Sequence, residues 1–231
     1  MKPVHIISFL FVLSFPLSIH AQDADAIIDE VRKKFMLVKD YEAAVKIKVD
    51  VDFVKIPEKK GTVWFRQPDQ IKVKTPGFAL LPKRGMNFSP NQLFTGNYTS
   101  IFAREEKLGD HLTHVIKVIP RDDQDELILA TIWVDAKRKV IRKMESSSRT
   151  DGTFIMNFTY PAEERKYDLP SSIRFDFDLR KTELPIGLTG DFENTSSRTK
   201  SPKTSKGTVT VSYLNYSINE GKGDAAFRPK R

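Results

Sequence analysis

The sequence predicts an α+β protein in which one large antiparallel sheet wraps over an N-terminal helix. The first observation behind this is the strict alternation of apolar and polar side chains from Tyr41 to Phe53, the pattern of a strand with one dry and one wet face. At ~3.3 Å per residue this strand spans about 40 Å, so its partners must be long or the sheet must curl. Second, the same alternation returns along the chain, and counting gives about eleven strands. Third, one clear amphipathic helix precedes the first strand.

The helix is predicted from Asp23 to Val38. Acidic residues occupy its early turns and basic residues its end, as the helix dipole favours. Its apolar residues recur at three- and four-residue spacing and must pack on another element, for which the long strand offers a face. They are Ala24, Ile27, Ile28, Val31, Phe35 and Val38.

Turn residues separate the later strands. Gln67-Pro68-Asp69 is predicted to be a tight turn because proline fixes φ, and Gly96-Asn97 and Asp151-Gly152 are typical of hairpin turns. The predicted strands after the first are Thr62–Arg66, Gln70–Thr75, Asn91–Thr95, Tyr98–Arg104, His111–Ile119, Leu127–Asp135, Val140–Ser147, Thr153–Tyr160, Ile173–Leu179 and Gly207–Ile218.

Two segments lack any strand period. Phe78 to Met86 is apolar and aperiodic, so we expect it to act as a lid or rim over apolar surface. Glu193 to Lys206 has almost no apolar side chains to offset its ordering entropy, which predicts a mobile loop.

The first 21 residues have the pattern of a secretory signal peptide. A short basic start precedes an apolar run from Ile6 to Ile19, and Ala21 is a suitable cleavage point. The alternative, a membrane anchor, is disfavoured because the run is shorter than ~20 residues and is broken by Pro16. We therefore expect residues 1–21 to be removed and residues 22–231 to form one exported domain.

Composition narrows the function further. The chain has no cysteine, which excludes disulfides, thiol catalysis and zinc–thiolate sites. The net charge of +8 is dispersed apart from a cluster at Arg198, Lys200, Lys203 and Lys206. It is typical of a solvated surface, with attraction to anionic lipid headgroups or acidic partners as the alternative. For an exported protein nucleic acid is not an expected partner.

Candidate catalytic and metal-binding residues are few. His111 and His114 are three residues apart in a predicted strand, which puts them on opposite faces and argues against a shared metal or catalytic pair. The acidic run from Asp122 to Glu126 lacks the glycine and ligand spacing of a calcium loop. The sequence predicts no cofactor, no metal and no enzymatic activity.

The unusual feature is the amount of apolar surface on the inward strand faces. A solid core and a ligand cavity need the same dry faces, so the pattern alone leaves both open. A single short helix, however, has limited area with which to cover a long continuous dry face.

The order of these segments resembles the periplasmic lipoprotein-carrier family (LolA-like). The pieces that carry the resemblance are Gly61–Pro68 beside the family's strand and Arg-Pro turn, Val118-Ile-Pro120 beside its Leu-x-Pro, and Ile132–Asp135 through Asp151-Gly152-Thr153 beside its strand–turn–strand. Tyr216–Asn219 followed by Phe227 is similar to its C-terminal strand and tail. One departure is Gln67, which stands where the family's carrier often has an arginine that points into the cavity and ties down a lid.

The resemblance implies an unclosed antiparallel β-barrel of about eleven strands wrapped over the helix and lid. It also implies a periplasmic, monomeric carrier of lipids or lipoprotein acyl chains, working between an inner-membrane releasing transporter and an outer-membrane acceptor. An envelope sensor domain that binds a membrane-protein partner is the alternative. The residues expected to bind lipid are Val63, Phe65, Gln67, Ile71, Val73, Leu80, Leu81, Met86, Ile116, Val118, Ile128, Ile132, Met156, Phe158 and Phe175.

Overall fold

A computed structural model describes residues 23–51, 54–55, 57–76, 98–121, 127–148, 152–180 and 204–228. Within these ranges it contains two helices and eleven strands. In chain order the elements are α1 Ala24–Met36, β1 Asp40–Val51, β2 Val54–Lys55, β3 Lys59–Arg66, β4 Gln70–Lys74, β5 Tyr98–Leu108, β6 His111–Pro120, β7 Leu127–Asp135, β8 Ile141–Ser148, β9 Gly152–Thr159, β10 Ser172–Arg180, β11 Thr204–Ile218 and α2 Lys222–Phe227.

The strands form one antiparallel sheet that does not close. Its order is β4-β3-β1-β11-β10-β9-β8-β7-β6-β5, and the two-residue β2 pairs with the end of β1. Along the described strands, β4 and β5 lie at opposite ends of this path, so the barrel stays open between them. The predicted fold class is confirmed. The lid segment Phe78–Met86 and the strand Asn91–Thr95 lie outside the described residues.

Helix α1 begins at Asp23, whose carboxylate accepts hydrogen bonds from the backbone N–H groups of Asp25 (3.0 Å) and Ala26 (3.4 Å). This N-cap satisfies donors that the first helical turn leaves unpaired. The buried face of the helix joins the inner faces of the strands in one hydrophobic core. Near its start Asp25 accepts a hydrogen bond from the Ser100 hydroxyl of β5, which fixes one end of the helix over the sheet.

Strand β1 is central because it pairs with both β3 and β11. Tyr41 lies opposite Phe65 of β3 and Ile218 of β11, and alternate residues along β1 from Tyr41 to Val49 are buried. A bulge between Ala44 and Val45 interrupts the pairing with β11. Such a bulge bends a strand and increases its twist, which helps a 12-residue strand curl around a core.

The C-terminal part of the chain differs from the sequence predictions in two ways. Strand β11 begins at Thr204 and pairs with β10, so the prediction of a mobile loop through Lys206 is wrong for its last three residues. The remainder of that loop lies outside the described residues. Helix α2 was not predicted. It lies so close to β1 and β3 that a Cβ on Gly223 would approach the Phe65 carbonyl oxygen to 2.2 Å, and only glycine fits this approach.

No helix in the described part of the chain is long and apolar enough to span a bilayer.

Candidate functional site

The inner face of the sheet encloses a cavity of about 110 Å³. Strands β1, β3, β4 and β9–β11 form its wall, the last turn of α1 lies over it, and the irregular segment 160–170 between β9 and β10 closes one side. The lining side chains are almost all apolar or aromatic: Phe35, Tyr41, Val63, Phe65, Ile71, Met156, Phe158, Tyr160, Asp168, Leu169, Pro170, Ile173, Phe175, Val211, Tyr213 and Tyr216.

Aromatic rings pack against one another along this wall. Tyr41 stacks on Phe65 at 5.2 Å between ring centroids, and Phe65 in turn meets Phe35 of α1 edge to face at 5.5 Å. Tyr213 and Tyr216 of β11 stack at 5.2 Å, and Tyr216 contacts Tyr41 edge to face. Such pairs add stability beyond the area they bury. The rings give the cavity a stiff wall.

The tyrosine hydroxyls of the wall are held by protein groups. Tyr216 donates to the Pro170 carbonyl oxygen (2.7 Å), Tyr160 donates to a backbone carbonyl of β8 (2.9 Å), and Tyr41 and Tyr213 hydrogen-bond to each other. Burial raises the pKa of Tyr213 to about 12 and that of Tyr41 and Tyr216 well above the ordinary value. These groups therefore stay neutral and do not charge the cavity.

Asp168, the one carboxylate among the described residues of the lining, belongs to an ionic cluster at the side of the cavity. It accepts hydrogen bonds from Lys34 Nζ (2.7 Å), Arg138 Nη2 (2.5 Å) and the Arg165 N–H (3.3 Å), while Arg138 Nη1 donates to the Pro161 carbonyl (2.7 Å). Burial by itself would raise the pKa of Asp168, but the hydrogen bonds from Arg138 and Lys34 outweigh it and lower that pKa. The cluster joins α1, the β7–β8 turn and segment 160–170.

A second buried carboxylate, Asp135, holds the β7–β8 turn in position for this cluster. It accepts from Arg142 Nε (2.6 Å) and from the N–H groups of Lys137 (2.9 Å) and Arg138 (2.8 Å). The guanidinium groups of Arg138 and Arg142 lie 5.5 and 5.8 Å from the ring centroid of Tyr160. Both arginines thus pack against Tyr160 at the edge of the cavity.

The structure brings six of the predicted lipid-binding residues together in the cavity lining: Val63, Phe65, Ile71, Met156, Phe158 and Phe175. Three others, Ile116, Val118 and Ile132, are buried in solid core away from the cavity. Val73 packs at the margin of the core. Leu80, Leu81 and Met86 lie outside the described residues.

Two predicted residues are placed elsewhere. Ile128 is 48 % exposed rather than buried, because the pairing of β7 with β8 is irregular between Leu127 and Leu129 and the inward alternation begins only at Ala130. Gln67 does not line the cavity. Its side-chain amide donates to the Val38 carbonyl (2.9 Å) and the Phe35 carbonyl (3.4 Å), so it fastens the end of α1 to the β3–β4 turn.

Much of the rest of the lining was not predicted from the sequence. Tyr41, Val211 and Tyr213 belong to the dry-face alternation of β1 and β11. That alternation predicts that they face inward, but it does not indicate which strands border the cavity. Tyr160 and Asp168 to Pro170 carry no periodic signal, since the segment has no regular structure.

A shallower depression of about 170 Å³ lies on the outer face of the sheet, among Lys48, Asp50, Arg174, Thr208 and Thr210. Its lining is polar, so it offers no apolar shelter. His111 is exposed and approaches Asp135, whereas His114 is buried beside Glu105, so the two histidines do not form one site. Among the described residues no group of three or more histidine, aspartate or glutamate side chains could hold a metal ion.

No protein-family model matches the chain, and no curated protein sequence matches it either. Solved structures do. A DUF1329 family protein from Desulfovibrio piger aligns with a TM-score of 0.55 at 10 % identity, over 89 % of this chain and 97 % of that one. A LolA superfamily protein from Nitrosomonas europaea aligns with a TM-score of 0.53 at 12 % identity, again over 89 % and 97 %. At these identities the likeness establishes the fold: the chain has the LolA-like open barrel.

Proposed function

We propose that this protein is an exported, non-catalytic carrier that shelters the acyl chains of lipids or lipoproteins in the cavity under α1. The observation that carries the proposal is the apolar, aromatic cavity itself, on the concave face of an open barrel. Desolvation of an acyl chain there would contribute about 0.8 kcal/mol per methylene. The proposal includes removal of residues 1–21, a periplasmic location, and transfer between an inner-membrane releasing transporter and an outer-membrane acceptor.

The size of the cavity defines what binding requires. Ligand pockets typically have roughly 300 Å³ or more, so about 110 Å³ accommodates only a short part of an acyl chain. The strands of the wall are held by backbone hydrogen bonds to their neighbours on the sheet. Among the described residues, the other walls are Phe35 at the end of α1 and segment 160–170, which lie outside the sheet, so moving them breaks no strand-pairing hydrogen bonds.

The ionic cluster around Asp168 controls that movement in this proposal. Lys34 belongs to α1, Asp168 to segment 160–170 and Arg138 to the β7–β8 turn, so their contacts hold both movable walls against the barrel. The Asp168 side chain is only 1 % exposed, which shields these contacts from water. Ligand entry then requires these ionic contacts to break, so that the end of α1 and segment 160–170 can move away from the barrel.

The test is acyl-chain binding by the protein as its host produces it. Gentle purification followed by mass spectrometry should detect bound acyl chains, and a fluorescent fatty acid should bind the emptied protein. A Phe158→Glu variant should lose both, because an ionised carboxylate in an apolar cavity is strongly disfavoured. Ile101→Glu, on the exposed surface of β5, is the matched control and should retain both.

Folding of both variants is checked by circular dichroism and thermal unfolding. A folded wild-type protein that carries no acyl chain and binds neither fatty acids nor acylated peptides would exclude the carrier function. The sensor alternative would then be the hypothesis to pursue.

A further inference from the structure

The turn that joins α1 to β1 presents two adjacent apolar side chains to solvent. Met36 and Leu37 are 51 % and 50 % exposed, although they follow directly on Phe35, which lines the cavity. We call these two residues the docking tip. Scattered exposed apolar residues are normal on proteins, so the tip calls for explanation only because of what surrounds it.

The backbone of the tip is held firmly. Asn219, just after β11, donates from Nδ2 to the Leu37 carbonyl (2.8 Å) and accepts at Oδ1 from the Lys39 N–H (2.7 Å). The Leu37 N–H donates to the Lys34 carbonyl (3.3 Å). The two apolar side chains are therefore displayed on a fixed turn of the folded protein, where they cannot withdraw without loss of these bonds.

Exposed lysines surround the tip. Lys33 precedes it in the helix, Lys39 follows it, and Lys166 of segment 160–170 has its Nζ 5.2 Å from the ring centroid of the neighbouring Tyr167. Tyr167 shows that these groups converge: its hydroxyl interacts with Asn219 and Lys166, and these hydrogen bonds, together with the positive charges of Lys166 and Lys39, lower its pKa. Lys39 and Lys166 thus both place positive charge beside Tyr167 and Asn219, which adjoin the tip.

Two carboxylates in the same segment oppose this charge only in part. Glu164 already binds Lys34 at 2.9 Å, and Glu163 is exposed. Other exposed apolar residues of the described surface have different surroundings. Ile101 lies on β5, a strand that carries both basic and acidic side chains and in which Arg104 pairs with Glu106.

We propose that the docking tip binds the surface of an anionic lipid bilayer, with Met36 and Leu37 inserted at the level of the headgroups and the lysines on the anionic lipids. Apolar side chains ringed by long basic ones suit this interface, because the lysine stems pass the apolar boundary while their ammonium groups stay among the headgroups. The geometry also places Phe35, and with it one wall of the cavity, next to the bilayer. The inference does not depend on what the cavity binds.

The experiment is sedimentation of the protein with vesicles of phosphatidylcholine alone or with about 30 % phosphatidylglycerol. Binding should require the anionic lipid and should weaken as salt is raised from about 0.05 M to about 0.5 M. A Met36→Ser/Leu37→Ser variant should bind at least about tenfold more weakly. Ile101→Ser/Ile119→Ser, exposed on the parts of β5 and β6 next to Ser100, at the opposite end of α1 from the tip, should bind like the wild type.

A Lys39→Gln/Lys166→Gln variant should lose about fivefold per lysine, and Lys107→Gln/Lys117→Gln controls for the same change in net charge. Mass spectrometry should confirm that all variants begin at the same residue, so that they differ only at the substituted positions. Equal binding by tip and control variants would overturn the proposal, as would equal binding to neutral and anionic vesicles. Fatty-acid binding in solution should be unchanged in the tip variant, so failure of this proposal and failure of the carrier function are separate results.

Discussion

The two halves of the inner sheet face have the same sequence pattern and different interiors. On β6, β7 and β8 the inward side chains Ile116, Val118, Ile132 and Met144 are essentially inaccessible and pack solidly. On β1, β3 and β9–β11 the inward side chains leave a cavity. Both halves have an apolar inner face, and both belong to one hydrophobic core.

The difference follows from the shapes of the side chains. Branched aliphatic residues and methionine adapt to one another and fill the space between strands. In the cavity half, stacked rings are held at fixed places by hydroxyl bonds, such as that of Tyr216 to Pro170, and cannot collapse inward without losing them. A void beside a rigid aromatic wall is therefore stable, whereas a void beside aliphatic side chains would close.

The largest expected effect is the loss of stability when one inward side chain in each half is shortened to alanine. Ile132→Ala removes a fully buried side chain from solid core and should lower the free energy of unfolding by about 3 to 4 kcal/mol. Ile71→Ala removes a partly buried side chain beside an existing void and should cost about 1 to 2 kcal/mol. Urea denaturation with both variants measures the difference. Equal losses would show that the cavity half is packed as tightly as the rest.

A smaller effect is expected at the ionic cluster beside the cavity. Asp168→Asn leaves Lys34 and Arg138 without their shared counter-charge and should cost about 2 to 3 kcal/mol at neutral pH. Glu164→Gln, which touches the same lysine from an exposed position, is the control and should cost less than about 0.5 kcal/mol. The Asp168 variant should also take up a fatty-acid probe faster, as measured by stopped-flow fluorescence.

The same carboxylate gives a prediction for pH. Because folding lowers the pKa of Asp168, its contribution is present above the unfolded value of about 3.9 and is lost as pH falls further, through the folded pKa. Wild-type stability should therefore decline below about pH 4 more steeply than that of Asp168→Asn. If the wild type and the variant lose stability equally steeply as pH falls, the result would contradict a buried, ion-paired Asp168.

The smallest effect concerns the hydroxyls of the aromatic wall. Tyr213→Phe removes the bond to Tyr41 and should cost about 1 kcal/mol. Folding raises the pKa of Tyr213, so its contribution is present below the unfolded value of about 10 and is lost as pH rises toward about 12. Urea denaturation across that range should show a shallower alkaline decline in the variant. Tyr167→Phe is the contrast. Because folding lowers the pKa of Tyr167, removing its hydroxyl should not make the alkaline decline in stability shallower.

Periodicity in the sequence predicted the helix and the strands that bury one face. The period of 3.6 located α1 and the period of 2 located β1 and the later described strands to within a few residues, because one buried face imposes each pattern. Helix α2 escaped prediction, since it is six residues long and lies where it does through the close approach of Gly223 to β3. Gln67 likewise has a role, fastening the end of α1, that no neighbour in sequence indicates.

The sequence by itself determined that there would be a dry inner face, a helix to lie on it and no cysteine chemistry. Only the tertiary structure decided where that face is solid and where it is hollow. The closing contact of the cavity joins Lys34 to Asp168 across 134 residues, and Asp168 lies in a segment without periodicity. Such a contact depends on the order of strands in the sheet, which brings distant segments together, and alternation within a strand carries no information about which strands will be neighbours.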